Sequence, residues 1–156
     1  MTQSTPASLI HGVLIVDKPQ DWTSHDVCAF VRKRFRIEKV GHAGTLDPLA
    51  TGLLVILLGK ATKLSNPLSA CDKEYLGVME LGVQTDSHDR HGKVIQEVDC
   101  SSVTLEMVRE KARDFTGEII QIPPMVSALK HKGVRLYKLA RQGQSVPREG
   151  RRVCVY

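Results

Sequence analysis

One carboxylate in this sequence, Asp47, has few structural roles open to it. It lies in the stretch GHAGTLDPLATGLLVILL, residues 41–58, between a glycine-rich approach and a long aliphatic run. Because Pro48 lacks an N–H and favours extended geometry in the residue before it, Asp47 is poorly placed to cap the next segment. A carboxylate in this position can serve as a nucleophile or a base. The alternative is an Asp-Pro turn that only leads into a core strand.

The elements around Asp47 follow from the apolar pattern. Residues 53–58 show no polar alternation, which predicts a strand buried on both faces. Residues 12–16 predict a second short strand, and Thr23 or Ser24 can cap a helix that runs to about Phe35. The Asp47 turn is therefore expected at the mouth of a buried strand.

The rest of the chain alternates short strands and helices. Strand-like patterns recur around a polar turn and further on, at residues 73–82, 93–98, 117–122 and 153–156. An amphipathic helix is predicted at residues 104–115, and its inward side chains are Leu105, Val108, Ala112 and Phe115. The pattern indicates an α+β class with a mixed, mostly antiparallel sheet and flanking helices. Because the last strand stops soon after it starts, we expect it to lack neighbours and the chain to be one piece of a longer protein.

The charge distribution permits a polyanionic partner. The chain has 156 residues, enough for one domain with a core, and a net charge of +5. Basic residues cluster at 32–36 and again at 130–152, where Glu149 is the one acid. A solvated face and a footprint for phosphates both explain such clusters.

Cysteine spacing and hydropathy exclude several kinds of site. Four cysteines are scattered without a CxxC pair, which disfavours zinc or dithiol chemistry. His88 and His91 have the spacing of a metal pair but lie in a turn without a third ligand, so no metal site is predicted. The sequence shows no signal peptide and no apolar run of membrane-spanning length, and free thiols without an export signal fit the cytoplasm.

Four blocks occur in an order that is typical of one family. They read GVLIVDKPQDWTSHDV, GHAGTLDPLATGLLVILLGKATKL, DKEYLGVMELGVQTDSHDRHG and IPPMVSALKHKGVRLYKLARQG. Together they resemble the N-terminal part of the catalytic domain of the tRNA pseudouridine synthase B family, over residues 11–156. The resemblance implies the pseudouridine synthase catalytic fold, incomplete in this chain, after a flexible N-terminus at residues 1–10. It also implies an RNA-clamping insertion at about residues 123–151 and the absence of the family's C-terminal RNA-binding domain from this sequence.

The resemblance implies a reaction, the isomerisation of a uridine in the T loop of tRNA to pseudouridine. The C1′–N1 bond breaks, the uracil turns and a C1′–C5 bond forms, and the family needs no metal, nucleotide or other cofactor. The implied partner is the T stem-loop of tRNA, and a monomer is expected. Because the reacting atoms are inaccessible inside a stacked loop, the target uridine has to be flipped out.

The resemblance also assigns roles to residues. Asp47 becomes the catalytic carboxylate, which either adds to the base or ribose or removes the C2′ proton. Tyr75 would stack on the target base and His42 would contact the T loop; alone, they would be interpreted as a core aromatic and a polar loop residue. The other predicted contacts with substrate or RNA are Lys18 and Pro19 beside the pocket, Thr45 and Leu46 in the catalytic motif, and Lys130 and Arg141 in the insertion.

The catalytic role requires an ionised Asp47. Leu46 and Leu49 tend to desolvate it, and burial raises a carboxyl pKa, so a cationic partner is expected. The family supplies an Arg for this on a segment beyond residue 156. Three positions depart from the family pattern: Asp21 replaces a Gly, which puts the geometry of that turn in question, Val126 replaces a Tyr, and Gln84 replaces a basic residue.

Two other functions stay open at this point. A non-catalytic module that binds or folds tRNA fits a chain without the partner Arg. A guide-RNA-dependent relative that modifies ribosomal RNA also stays within the family, although the short N-terminus argues weakly against it.

Overall fold

The computed structural model describes residues 10–125, 127 and 129–156, without the side chains of Lys130, His131, Tyr137 and Arg141. The contacts divide the chain into two units, Met1–Leu76 and Gly77–Tyr156. The predicted flexible N-terminus lies outside the described residues except for Ile10. The helices in the described part of the chain are all too short or too polar to cross a membrane.

The first unit is built on a three-stranded antiparallel sheet. Its strands are β1 (Gly12–Lys18), β2 (Val40–His42) and β3 (Gly52–Leu58), and β3 lies in the middle of the order β1-β3-β2. Leu14 pairs with Ile56 and Val16 with Leu54, so these side chains share one face. The strands predicted at residues 12–16 and 53–58 are confirmed.

The core of this unit lies between the sheet and the first helix, α1 (Ser24–Phe35). Val27, Cys28 and Val31 of α1 pack against apolar side chains that β3 directs to this face, Leu54, Ile56 and Leu58. Thr23 caps α1: its hydroxyl accepts from the Asp26 N–H at 3.1 Å, and the Asp26 carboxylate accepts from the Thr23 N–H at 2.8 Å. This reciprocal capping decides between the two predicted cap residues.

The prediction that β3 is buried on both faces is right only for its C-terminal half. Leu57 is fully buried on the face away from α1. A 3-10 helix (Gly59–Leu64) covers that end, and a methyl group at Gly41, opposite Leu57, would lie 3.5 Å from Thr62. Leu53 at the start of β3, in contrast, is 67% exposed. The short helix α2 (Ser65–Ser69) follows.

The second unit consists of strand pairs and two helices. A hairpin joins β4 (Val83–Thr85) to β5 (Val94–Glu97), and α3 (Leu105–Arg113) comes next. The remaining elements are β6 (Gly117–Gln121), β7 (Lys130–His131), β8 (Val134–Arg135), α4 (Leu136–Arg141) and β9 (Arg151–Val155). All pairings among the described strands are antiparallel, which agrees with the predicted α+β class and its mostly antiparallel pairing.

The last strand does have a neighbour, contrary to the expectation. β9 pairs with β6 over its full length, and the Arg151 guanidinium donates to the Gln121 side-chain oxygen at 2.8 and 3.0 Å. This pairing joins the two ends of the segment that contains the predicted insertion. Val126 lies outside the described residues, so its departure from the family pattern carries no structural account.

Two predictions for this part of the chain are wrong. Residues 73–82 form no strand, although their side chains alternate, because no described strand pairs with them. The apolar side of α3 is not buried: Leu105 and Phe115 are largely exposed. A helix buries its apolar side only against another layer, and the pairs β4–β5 and β6–β9 are separate two-stranded sheets.

Candidate active site

Asp47 lies in the connection between β2 and β3, on the surface of the first unit. Its carbonyl accepts from the Ala50 N–H at 3.0 Å, which closes a turn over residues 47–50. Asp47 and Pro48 are exposed, whereas Leu46 is half-buried and packs against the core. The predicted desolvation of Asp47 by its leucine neighbours is therefore wrong for this chain, because Leu46 turns inward and the carboxylate faces outward.

Lys18, the last residue of β1, connects the Asp47 turn to the loop between β1 and α1 through hydrogen bonds. Its side chain is 0% exposed, and its ammonium donates to three carbonyl oxygens: Trp22 at 2.6 Å, Pro19 at 2.8 Å and Pro48 at 3.3 Å. These bonds match the three protons of an ammonium group. The geometry favours positioning of the Pro48 carbonyl by Lys18; direct contact of Lys18 with RNA stays a prediction, as does contact by the exposed Pro19.

Asp21, which replaces a glycine of the family pattern, has a backbone conformation that favours glycine. Asp21 has a φ of 67°, in the left-handed region where glycine is favoured and where aspartate is among the better tolerated side chains. Its N–H donates to the Pro48 carbonyl at 2.8 Å. The turn therefore keeps a geometry that suits a glycine, and with Lys18 it gives the Pro48 carbonyl two donors.

Ser24 holds the residue on the other side of Asp47. Its side chain is 1% exposed, and its hydroxyl oxygen accepts from the Leu46 N–H at 2.9 Å. The same hydroxyl lies 3.3 Å from the Leu46 carbonyl, to which it donates. The sequence suggested Ser24 only as a helix cap, and no spacing signal links two residues that are 22 positions apart.

His42, the last residue of β2, lies next to His25 of α1. The ring centroids are 5.1 Å apart at an interplanar angle of 78°. The Nδ1 atom of His42 is buried and has no hydrogen-bond partner of ordinary geometry among the described residues. Burial lowers the pKa of His42, the Gly44 backbone opposes this, and His25 adds to the lowering. The imidazole is therefore held neutral to lower pH than a free histidine.

The other predicted site residues are less constrained. Thr45 is exposed beside Asp47, and Tyr75 is 70% exposed in an extended segment without a ring contact among the described aromatic pairs. Lys130 begins β7 and Arg141 ends α4, both in the second unit, and their side chains lie outside the description. Within one unit, the structure joins Lys18, Ser24 and Leu46 directly to the Asp47 turn.

The arrangement is a rigid backbone that carries a free acid. Hydrogen bonds fix the peptide groups on both sides of Asp47, and the described residues give its carboxylate neither a hydrogen bond nor an ion pair. No cluster of three or more His, Cys, Asp or Glu side chains in the described part of the chain is arranged to hold a metal. Such a site can present an acid or nucleophile to a substrate that approaches from solvent.

Comparison with known proteins identifies the family. The model of the TruB family pseudouridylate synthase N-terminal domain matches residues 32–156. A tRNA pseudouridine synthase B of Dehalococcoides mccartyi is 51% identical over 145 residues, which cover 93% of this chain and 48% of the relative. One from Clostridium tetani is 52% identical over 147 residues, with 94% and 51% covered.

A solved structure agrees with these sequence matches. A chain in the crystal structure of a Cbf5-Nop10-Gar1 complex superimposes with a TM-score of 0.51 at 32% identity, over 78% of this chain and 31% of that one. The family-model match and the fold thus define a pseudouridylate synthase domain. The chain belongs to the TruB family. It spans about half the length of these curated relatives.

Proposed function

We propose that this protein isomerises a uridine in the T loop of tRNA to pseudouridine, with Asp47 as the catalytic carboxylate. The observation that carries the proposal is the exposed Asp47 on a turn whose backbone is fixed on both sides. Family membership supports the reaction class, and the relatives that are about half identical are tRNA pseudouridine synthases B.

The chemistry suits a fixed backbone and one free acid. The C1′–N1 bond breaks, the uracil rotates and C5 bonds to C1′. C5 then loses its proton to solvent, and N1 takes up a proton, so the product is an isomer of the substrate. Asp47 acts either by adding to the base or ribose or by removing the C2′ proton, and both routes require the ionised carboxylate. An exposed side chain is accessible to a nucleotide extruded from its stack, and a rigid backbone lowers the entropic cost of alignment.

The surrounding side chains have separate parts in the proposal. Tyr75 offers an exposed ring on which the flipped uracil stacks. His42, held neutral by burial, contacts the T loop through its polar atoms rather than as a cation. The basic cluster at residues 32–36 and the insertion residues Lys130 and Arg141 bind phosphates of the T stem-loop.

We further propose that the protein acts as a monomer in the cytoplasm, without a metal or another cofactor. The substrate supports the compartment, since tRNA is modified where it is made and used. The reaction supports the proposal that no cofactor is needed, because an isomerisation consumes no second substrate and transfers no electrons.

The decisive experiment compares the complete wild-type protein with its Asp47→Asn variant on T-arm RNA carrying tritium at C5 of uridine. We expect wild-type protein to release tritium and Asp47→Asn, which keeps the size of the side chain, to release none above background. Because Asp47 is exposed and its side chain makes no described bond, the variant keeps its fold, which circular dichroism checks. Turnover by Asp47→Asn at the wild-type rate would contradict the catalytic assignment.

Two results would support the other candidate functions. Binding of T-arm RNA that weakens steeply with salt, without turnover, would indicate a non-catalytic module. Turnover only with an added guide RNA would indicate a guide-dependent enzyme. The higher identity to the tRNA enzymes, 51% and 52% against 32%, favours unguided turnover.

A further inference from the structure

We propose that Ser24 is a positioning residue, whose buried hydroxyl orients the Asp47 carboxylate by holding the peptide groups of Leu46. The inference rests on the proposed function in one respect, that Asp47 acts on the substrate. It concerns a residue at the start of α1, remote in sequence from the Asp47 motif.

The first step is the geometry of the hydroxyl. One oxygen accepts the Leu46 N–H at 2.9 Å and donates its proton to the Leu46 carbonyl at 3.3 Å. A hydroxyl is the smallest side-chain group that can both donate and accept, so it can bond both polar groups of one residue. Because Ser24 is 1% exposed, water does not replace these bonds when the hydroxyl is removed.

The second step separates this role from helix capping. Thr23 provides the cap of α1, through its hydroxyl and the Asp26 carboxylate. Ser24 follows the cap as the first residue of the helix, and its hydroxyl is bonded to Leu46 rather than to the helix. Removing the Ser24 hydroxyl therefore leaves the described cap of α1 in place.

The third step is the consequence for Asp47. The Pro48 carbonyl on one side stays held by Lys18 and Asp21, and the Asp47 carbonyl still accepts from Ala50. On the other side, the Leu46 N–H and carbonyl lose their partner and the turn rotates to satisfy them elsewhere. The carboxylate then moves without a change in its own chemistry, and a displacement of about 1 Å at a reacting group can cost about a hundredfold in rate.

The test uses Ser24→Ala and Ser24→Cys, with Thr23→Ala as the matched control. All three variants remove a hydroxyl from the start of α1, and Cys fills the Ser24 site but bonds weakly. The first readout is NMR on the 156-residue chain, as hydrogen exchange of the Leu46 amide and chemical shifts of Leu46 and Asp47. The second is tritium release from T-arm RNA, analysed as kcat and KM.

We expect both Ser24 variants to speed exchange of the Leu46 amide at least tenfold and to shift the Asp47 signals. We expect kcat to fall tenfold or more at nearly constant KM, because the groups proposed to bind RNA are unchanged. Thr23→Ala should leave the Leu46 amide and kcat close to wild type and speed exchange at Asp26. Ser24→Thr, which restores a hydroxyl, should recover part of kcat.

Other outcomes would overturn the inference. Unchanged Leu46 exchange in Ser24→Cys would show that the hydroxyl does not hold the turn. An equal loss of kcat in Thr23→Ala would show a general effect on α1. If the complete wild-type protein turns over no RNA, the proposed function fails, and the Leu46 and Asp47 signals of the 156-residue chain still decide whether Ser24 orients the turn. Should Ser24→Ala lose its fold by circular dichroism, Ser24→Cys carries both readouts.

Discussion

At the scale of residues, the buried polar side chains of the first unit differ in whether they are hydrogen-bonded. Lys18 and Ser24 are both fully buried, and each has hydrogen-bond partners for its protons. His42 differs, because its buried Nδ1 has no partner of ordinary geometry among the described residues. A buried nitrogen without a hydrogen bond of ordinary geometry costs stability, and the Gly44 backbone is the polar group that interacts with this imidazole.

The lowered pKa of His42 predicts a dependence of stability on pH. An unfolded histidine titrates near 6.5, and the folded chain binds its proton only at lower pH. Between these two pKa values the unfolded state binds more protons, so the stabilisation is complete above about pH 6.5 and decreases as the pH falls through the folded pKa. Urea unfolding of the wild-type chain should show this loss.

The matched variants are His42→Gln and His91→Gln. We expect the unfolding free energy of His42→Gln to depend less on pH than that of wild type below about pH 6.5. The unfolding free energy of His91→Gln, a change at an exposed position, should show the same pH dependence as wild type. Equal pH dependence of all three proteins would mean that His42 is not desolvated in the folded state.

At the scale of elements, the loop between β1 and α1 determines how the Asp47 turn is held. Lys18 closes the end of β1, Asp21 adopts the left-handed conformation, and Thr23 and Ser24 start the helix. Within seven residues, this loop supplies donors to the Pro48 carbonyl and both bonds to Leu46. The Asp47 turn therefore depends on a loop that precedes it by more than 20 positions.

The conformation of Asp21 predicts a stabilising substitution. Asp21→Gly removes the strain of a side chain at a φ of 67°, and we expect a gain in unfolding free energy of about 0.5 kcal/mol. Gln20→Gly at the neighbouring exposed position, where φ is not positive, should lose about 0.5–1 kcal/mol through the greater flexibility of the unfolded chain. Chemical denaturation measures both, and a loss in Asp21→Gly equal to that in Gln20→Gly would contradict the strain argument.

At the scale of the whole molecule, the two units differ in how much apolar surface they bury. The first unit has a contiguous core between α1 and the sheet. In the second unit, Leu136 is the one buried residue among the described aliphatic and aromatic residues other than proline, whereas Leu105 of α3 and Ile120 of β6 are more than half exposed. Apolar side chains left in contact with water are available to bind other apolar groups.

This exposure predicts binding of an apolar dye such as ANS by the chain. Leu105 and Phe115, one on α3 and one just after it, are both more than half exposed, so the double variant Leu105→Lys with Phe115→Lys should reduce dye fluorescence without loss of helical signal. Arg109→Gln on the same helix changes a polar side chain and should leave dye binding unchanged. Loss of cooperative unfolding in the double variant, with no change in fluorescence, would show that these side chains are buried.

The sequence by itself determined which local elements form. The unbroken aliphatic run made β3 a strand, and Thr23 with Asp26 carried a helix cap in the residues themselves. Four short blocks in a fixed order, one of them around Asp47, also indicated the family, which the comparisons confirmed. These features depend on residues within a few positions of one another, so they can be predicted from the chain alone.

Only the tertiary structure decided what lies beside what. Residues 73–82 alternate like a strand but have no described partner, and no described element buries Leu105 and Phe115 on the apolar side of α3. Ser24 looked like a cap and instead bonds Leu46, 22 positions away, while Lys18 faces protein carbonyls instead of solvent. Burial and hydrogen bonding depend on which segments meet in space. Spacing along the sequence does not show which segments meet. Asp47 could therefore be singled out from the sequence, whereas the hydrogen bonds that hold its turn could not.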